Sequence, residues 1–106
     1  MTRRTVCFVS DRTGVTSETL GQALLAQFEG IEPHSVTIPF VATVQDAEAA
    51  VARINAIARD EGARPIIFST LVDDAVREVV KQADGFFLDF FDAFLHVIFT
   101  ERALAC

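Results

Sequence analysis

Residues 5–17 read Thr5-Val6-Cys7-Phe8-Val9-Ser10-Asp11-Arg12-Thr13-Gly14-Val15-Thr16-Ser17. The first part is a short apolar run of β-formers with no polar alternation. A run of that kind predicts a strand buried on both faces, as strands of parallel sheets are. It breaks into the polar loop Ser10-Asp11-Arg12-Thr13-Gly14. After the loop, apolar or small residues recur at Leu20, Ala23, Leu24 and Phe28, which is helical spacing. Thr16 or Ser17 can cap that helix, and Gly30 can end it. Strand, loop and helix in this order open a βαβ unit.

The pattern repeats downstream. Residues 35–40 predict a second strand, with Pro39 near its end. Thr43 followed by Asp46 predicts the start of a second helix, with Ala47, Ala50, Val51, Ile54 and Ile57 inward and Gly62 at its end. Residues 65–69 predict a third strand, and residues 73–82 a third helix with Val76, Val79 and Val80 inward. Residues 86–88 suit a fourth strand. The alternation predicts an α/β fold: a small open parallel sheet of about four strands with helices on both faces, Rossmann-like or flavodoxin-like. No internal repeat, low-complexity stretch or linker interrupts it.

With 106 residues the chain has room for one core. Its net charge is -6, and its basic residues are scattered. Both features disfavour nucleic acid and acidic membranes as partners, because such binding depends on neutralising phosphates. Cys7 reads as a buried small hydrophobe, and Cys106 is the last residue. The first apolar run is too short for a signal-peptide core or a membrane span, so the cytoplasm is the expected location. Phe86, Phe87, Phe90, Phe91, Phe94 and Phe99 are six of the ten phenylalanines. That density predicts a surface covered by a partner, by more of the protein, or by self-association.

The loop after the first strand is where an open parallel sheet binds its ligand. Ser10, Arg12, Thr13, Gly14 and Thr16 are candidate phosphate-binding residues. Unpaired N–H groups at a helix start, hydroxyl donors, a glycine that permits close approach and one guanidinium all suit an anion. Asp11 repels an anion; it either holds the turn or orients a hydroxyl as a base would, which makes it the candidate catalytic residue. The alternative is a helix cap that binds nothing. A dinucleotide loop needs more glycines than this one has, and a P-loop needs Gly-Lys-Ser/Thr, whereas the sole lysine, Lys81, is followed by Gln82. An aspartyl-phosphate enzyme needs its lysine before its acidic pair, and Asp73-Asp74 precede Lys81. Thr13-Gly14-x-Thr16 also resembles a flavodoxin phosphate loop, although the chain has no Trp or Tyr to stack a flavin. His34 and His96 stand alone, and no cluster has metal-ligand spacing.

Four stretches in order carry a wider resemblance: residues 9–16 with Leu20-Gly21 behind them, Thr37-Ile38-Pro39-Phe40, and Gly62-Ala63-Arg64-Pro65-Ile66-Ile67-Phe68-Ser69. Together they resemble the amino-terminal part of the phosphoenolpyruvate synthase regulatory proteins, related to the pyruvate, phosphate dikinase regulatory proteins. The resemblance covers residues 1–95 as an amino-terminal α/β domain. It implies a bifunctional enzyme that phosphorylates a threonine of its target dikinase with ADP as donor. The same enzyme removes that phosphate by attack of inorganic phosphate, releasing pyrophosphate. It also implies a P-loop of the Gly-x-x-Arg-x-x-Lys-Thr type in a carboxy-terminal half, so ADP and inorganic phosphate belong to the full-length family and no cofactor is expected on this chain. Residues 96–106 depart from the family pattern and read as a truncation or frameshift, so the chain alone is expected to be inactive.

Overall fold

The computed structural model describes residues 2–26 and 31–90. The elements are β1 (Thr2–Val9), α1 (Val15–Leu25), β2 (Ile31–Ile38), α2 (Val44–Glu61), β3 (Ile66–Ser69), α3 (Asp74–Val80) and β4 (Phe86–Asp89). The strands form one four-stranded sheet in the order β2-β1-β3-β4, and every pairing is parallel. This is the small open α/β architecture that the alternation predicts. The chain moves outward from β1 to β2, then returns to the other side of β1 for β3. That reversal places a topological switch point between β1 and β3, where such sheets bind ligands.

Alternation along β1 divides the core. Cys7 and Val9 join Ile38, Ile67 and the inward residues of α2 and α3 in the larger cluster. Val6 and Phe8 face the other way and pack with Leu25 of α1, Phe68 and the half-buried Phe90. Helices therefore cover both faces. Burial pushes the Cys7 thiol up to about 11, with Glu61 adding to the rise and Arg53 opposing it. The thiol stays protonated and serves as a core hydrophobe.

Several boundaries differ from the sequence expectation. β1 and β2 begin earlier, with Thr2 opposite Ile31. Ladder pairing is a backbone property and runs on through polar residues 2–4, which hydropathy excludes. β3 starts at Ile66, because Pro65 lacks an N–H; its carbonyl still accepts from Phe86 N–H at 2.8 Å. α3 is shorter than residues 73–82, since Asp73 is its N-cap and accepts from Val76 N–H.

The inner face of α1 is the main correction. Leu20 is 46% exposed and Ala23 is exposed as well. Ser17, Gly21 and Leu25 are buried instead, at i, i+4, i+8 spacing. Phe8 of β1 occupies the space that a side chain at position 21 would need: a Cβ there would lie 2.1 Å from Phe8 Cε1. Phe28 and Gly30, also assigned to this helix, lie outside the described residues.

The phenylalanine-rich segment has partners within the domain. Phe90 stacks on Phe68 with ring centroids 5.0 Å apart, and Phe68 stacks on Phe8 at 5.7 Å. Phe87 packs against the larger core. The Arg64 guanidinium sits 4.5 Å from the centre of the half-exposed Phe86 ring. Phe87 and Phe90 are thus half-buried within the domain, because β4 is a strand of the sheet itself, while Phe86 stays exposed. Phe91, Phe94 and Phe99 lie outside the described residues.

α2 opens with a capping box. Thr43 Oγ1 accepts from Asp46 N–H at 3.1 Å, and the Asp46 carboxylate accepts from the N–H groups of Ala42 and Thr43. Hydrogen bonds from Ala42 N–H first, and then from Thr43, hold the Asp46 carboxyl below the usual carboxylate range. A depressed folded-state pKa means that ionisation stabilises the fold. The stabilisation is complete above the ordinary carboxylate pKa and fades as pH falls through the folded value. Asp46→Asn is therefore expected to lower the urea midpoint at neutral pH and to leave it unchanged once pH lies below the carboxylate range. A gap that stays constant with pH would assign the cap a purely neutral role.

Candidate functional site

At the switch point the two central strands end alike. β1 leads into Ser10, whose Oγ accepts from Arg12 N–H at 3.1 Å. β3 ends at Ser69, whose Oγ accepts from Leu71 N–H at 3.2 Å. A serine hydroxyl that accepts from the N–H two residues on makes a tight turn. Both chains thus swing away from the strand direction and leave a gap between them.

Backbone hydrogen bonds fix the rims of that gap. Thr70 N–H donates to Val9 C=O at 3.1 Å, carrying the β1–β3 ladder one step past the strand. On the other side, Ser10 N–H donates to Ile38 C=O at 3.1 Å, and Val41 N–H donates to Ser10 C=O at 2.9 Å. Phe40 N–H donates to Arg12 C=O at 2.8 Å. Phe40 takes φ +60°, a left-handed conformation that is costly for a bulky side chain, while its ring is 64% exposed. The β2–α2 connection is clipped to the loop by this strained residue.

The result is a half-open cavity of about 360 Å³, lined by residues 10–16 together with Thr70 and Val72. Ser10, Arg12, Thr13, Gly14 and Thr16, the predicted phosphate-binding residues, therefore border one space, and Asp11 borders it with them. Ser10 is 5% exposed, whereas Arg12, Thr13 and Thr16 are exposed. Neither Thr16 nor Ser17 caps α1, because the helix begins one residue earlier, at Val15. Ser17 Oγ donates to Gly14 C=O at 3.1 Å, which ties it into the first turn. The turn-holding role considered for Asp11 belongs to Ser10. The Asp11 carboxylate has no hydrogen-bond or ion-pair partner among the described residues, and neither does the Arg12 guanidinium.

The loop reading missed Thr70 and Val72. A signal was available: a crevice at a switch point lies between two strand ends, so the residues after β3 had to face those after β1.

Gly14 shapes the floor. Its φ is +88°, and a Cβ would meet Thr37 Cγ2 at 2.8 Å. Gly14→Val is expected to cost about 2–3 kcal/mol from backbone strain and overpacking together, and to deform the cavity. Gly62 is the control, with φ +65° and nothing within 4 Å of a Cβ. Gly62→Ala should cost only about 1 kcal/mol, from strain alone. Urea unfolding of both variants measures the difference, and equal losses would remove the steric role of Gly14.

Among the described residues no group of His, Cys, Asp and Glu could hold a metal ion, and no helix is long and apolar enough to cross a membrane. The arrangement can offer hydroxyls, helix-start N–H groups and a guanidinium to an anion, with one carboxylate to accept a proton.

Fold and crevice together define an open parallel α/β domain with a polar crevice at its switch point. The chain belongs to the kinase/pyrophosphorylase family, whose pattern matches residues 6–104 and so takes in most of the stretch after residue 95. A relative from Stutzerimonas stutzeri is 48% identical over 93 residues, covering 88% of this chain and 34% of the relative. One from Marinobacter nauticus is 46% identical over 99 residues, covering 93% of this chain and 36% of the relative. One from Pseudomonas aeruginosa is 50% identical over 93 residues, covering 88% and 34%. All are named as phosphoenolpyruvate synthase regulatory proteins. The chain thus spans about a third of the length of these relatives.

Proposed function

We propose that this chain forms the amino-terminal part of a bifunctional serine/threonine kinase and phosphorylase that regulates a dikinase in the cytoplasm. The target is phosphoenolpyruvate synthase or pyruvate, phosphate dikinase. In this reading ADP is the phosphoryl donor in one direction, and inorganic phosphate removes the phosphoryl group in the other. The observation that carries it is the family match across residues 6–104, joined to relatives named for regulation of phosphoenolpyruvate synthase.

Within that reading the switch-point cavity handles the phosphate group. Ser10, Thr13 and Thr16 donate, Gly14 permits close approach, Arg12 supplies charge and Asp11 acts as the base. The cavity residues do not fit the diphosphate of ADP. They include no lysine, and Lys81 stands at the end of α3, paired with Glu78 at 3.3 Å. No ADP step is assigned to these residues. The test is a full-length family member incubated with its dikinase and ADP, then with inorganic phosphate. ADP-dependent threonine phosphorylation, reversed by phosphate with pyrophosphate release, is expected. Absence of both reactions rejects the proposal.

The strand order β2-β1-β3-β4 favours a second reading, a flavodoxin-like domain for a phosphorylated small ligand. Flavin absorbance retained by purified protein would support it.

A further inference from the structure

The two faces of the sheet are covered unevenly at the β4 edge. On one face α3 packs Val76 and Val80 against Ile67 and Phe87. The other face carries Val6, Phe8 and Phe68, and α1 lies on it over β1, β2 and β3. The register extends this second face to the edge strand, with Phe86 opposite Ile66 and Leu88 opposite Phe68. Leu88 is 48% exposed there, and Phe86 46%. Parallel sheets bury both faces, so two large apolar side chains on an open strip call for a cover. The guanidinium groups of Arg4 and Arg64, 5.6 and 4.5 Å from the centre of the Phe86 ring, bound the strip at one end. Phe90 bounds it at the other, where its ring stacks on Phe68 at 5.0 Å.

The point at which the chain leaves β4 selects the occupant. Phe90 already packs on the open face, so residue 91 starts at the end of the strip. Residues 91–98, outside the described residues, read Phe91-Asp92-Ala93-Phe94-Leu95-His96-Val97-Ile98. Phe91, Phe94, Leu95 and Ile98 recur at i, i+3, i+4 and i+7, which is the apolar stripe of a helix. A helix of that length is about 12 Å long. The strip from Phe90 back to Phe86 is about 13 Å long. Length, apolar spacing and starting point therefore all suit this segment, and consecutive elements commonly pack side by side.

We propose that residues 91–98 fold back along β4 as a helix beside α1, with Phe94 and Leu95 covering Leu88. The proposal goes beyond the regulatory kinase reading and does not depend on it.

Methyl-labelled NMR of the full chain tests it, with Leu20 as the internal standard. Leu20 is 46% exposed on α1, close to the value for Leu88. A soluble gadolinium chelate should broaden the Leu20 methyls and leave those of Leu88 protected. Leu88 should also show NOEs to Phe94 and Leu95. In a mixture of labelled and unlabelled chains, filtered spectra should show none of these NOEs between chains. Phe94→Asp should make Leu88 as accessible as Leu20. His96→Asp, on the opposite side of the proposed helix, should leave it protected. Should Phe94→Asp fail to fold, the unaltered chain decides alone. Leu88 methyls broadened as strongly as those of Leu20 overturn the proposal. So do NOEs from Leu88 that arise only between chains, which make a second copy the occupant. Continued protection of Leu88 in a folded Phe94→Asp protein overturns it as well.

Discussion

Gly21→Val is expected to remove about 3 kcal/mol of stability or more, a large share of what a domain of this size commonly has. The Cβ alone would stand 2.1 Å from Phe8 Cε1 and 3.0 Å from Cδ1. Real atoms do not approach so closely, so the ring or the helix must move. The ring cannot swing away freely, because Phe8 is fully buried and stacks on Phe68, which stacks in turn on Phe90. The helix cannot rise without uncovering Leu25 and Ser17. Replacing a helical glycine normally returns up to about 1 kcal/mol through helix propensity, so the steric term wins by a wide margin. Urea unfolding reads the loss directly. Leu20→Ala, one residue away on the exposed face, should change stability by about 0.5 kcal/mol at most. Phe8→Leu combined with Gly21→Ala should recover part of the loss that Gly21→Ala causes alone, since the two positions share one space. An unaffected Gly21→Val protein, or a Leu20→Ala protein as damaged as it, would show that the helix packs on another face.

That contrast also shows where sequence reading succeeds and where it stops. The second helix was legible to the residue at both ends. Thr43 and Asp46 form a local chemical device, and Gly62 takes the left-handed conformation that ends the helix. Ala47, Ala50 and Ile54 are buried as the periodicity selects, with Val51 and Ile57 half-buried beside them, and Ala58 is a buried residue that it left out. The first helix misled because its packing face is built from Ser17 and Gly21. Neither carries a hydropathy signal, and the reason for the glycine is a phenylalanine thirteen positions earlier on a different element. Strand starts were misplaced for a related reason. Hydropathy marks buried side chains, but β1 and β2 go on pairing through residues 2–4 and 31–34.

The candidate site divides in the same way. The loop at residues 10–16 was legible because strand, hydroxyls and glycine follow one another in sequence. Thr70 and Val72 were not, because only the β1–β3 register brings them to that loop. The role of Asp11 changed for a geometric reason. The side chain best placed to hold the turn is the shorter Ser10, whose oxygen reaches Arg12 N–H from the strand end. That frees the carboxylate of structural duty, which bears directly on its chemistry. The base role proposed for Asp11 needs a carboxylate that is not occupied in bracing the turn, and this one borders the cavity.

The equivalent of Asp11→Asn in a full-length family member is accordingly expected to lower phosphoryl transfer by about 10²–10⁴-fold, the usual worth of a positioned general base. The amide has nearly the same size and shape as the carboxylate, so packing is kept. It can still accept a hydrogen bond, but it cannot take up a proton. Binding and chemistry should therefore separate. Phosphate affinity does not fall, because the neutral amide removes the repulsion between carboxylate and anion. The rate constant for transfer falls in both directions, since the base that accepts the proton of the attacking hydroxyl in one direction faces the same oxygen in the other. Single-turnover kinetics with saturating dikinase distinguishes this from a binding defect. If Asp11 takes no part in the chemistry, the substituted enzyme keeps its rate, because Ser10 and not the carboxylate holds the turn. A loss confined to KM would instead place Asp11 in target binding and remove it from the chemistry.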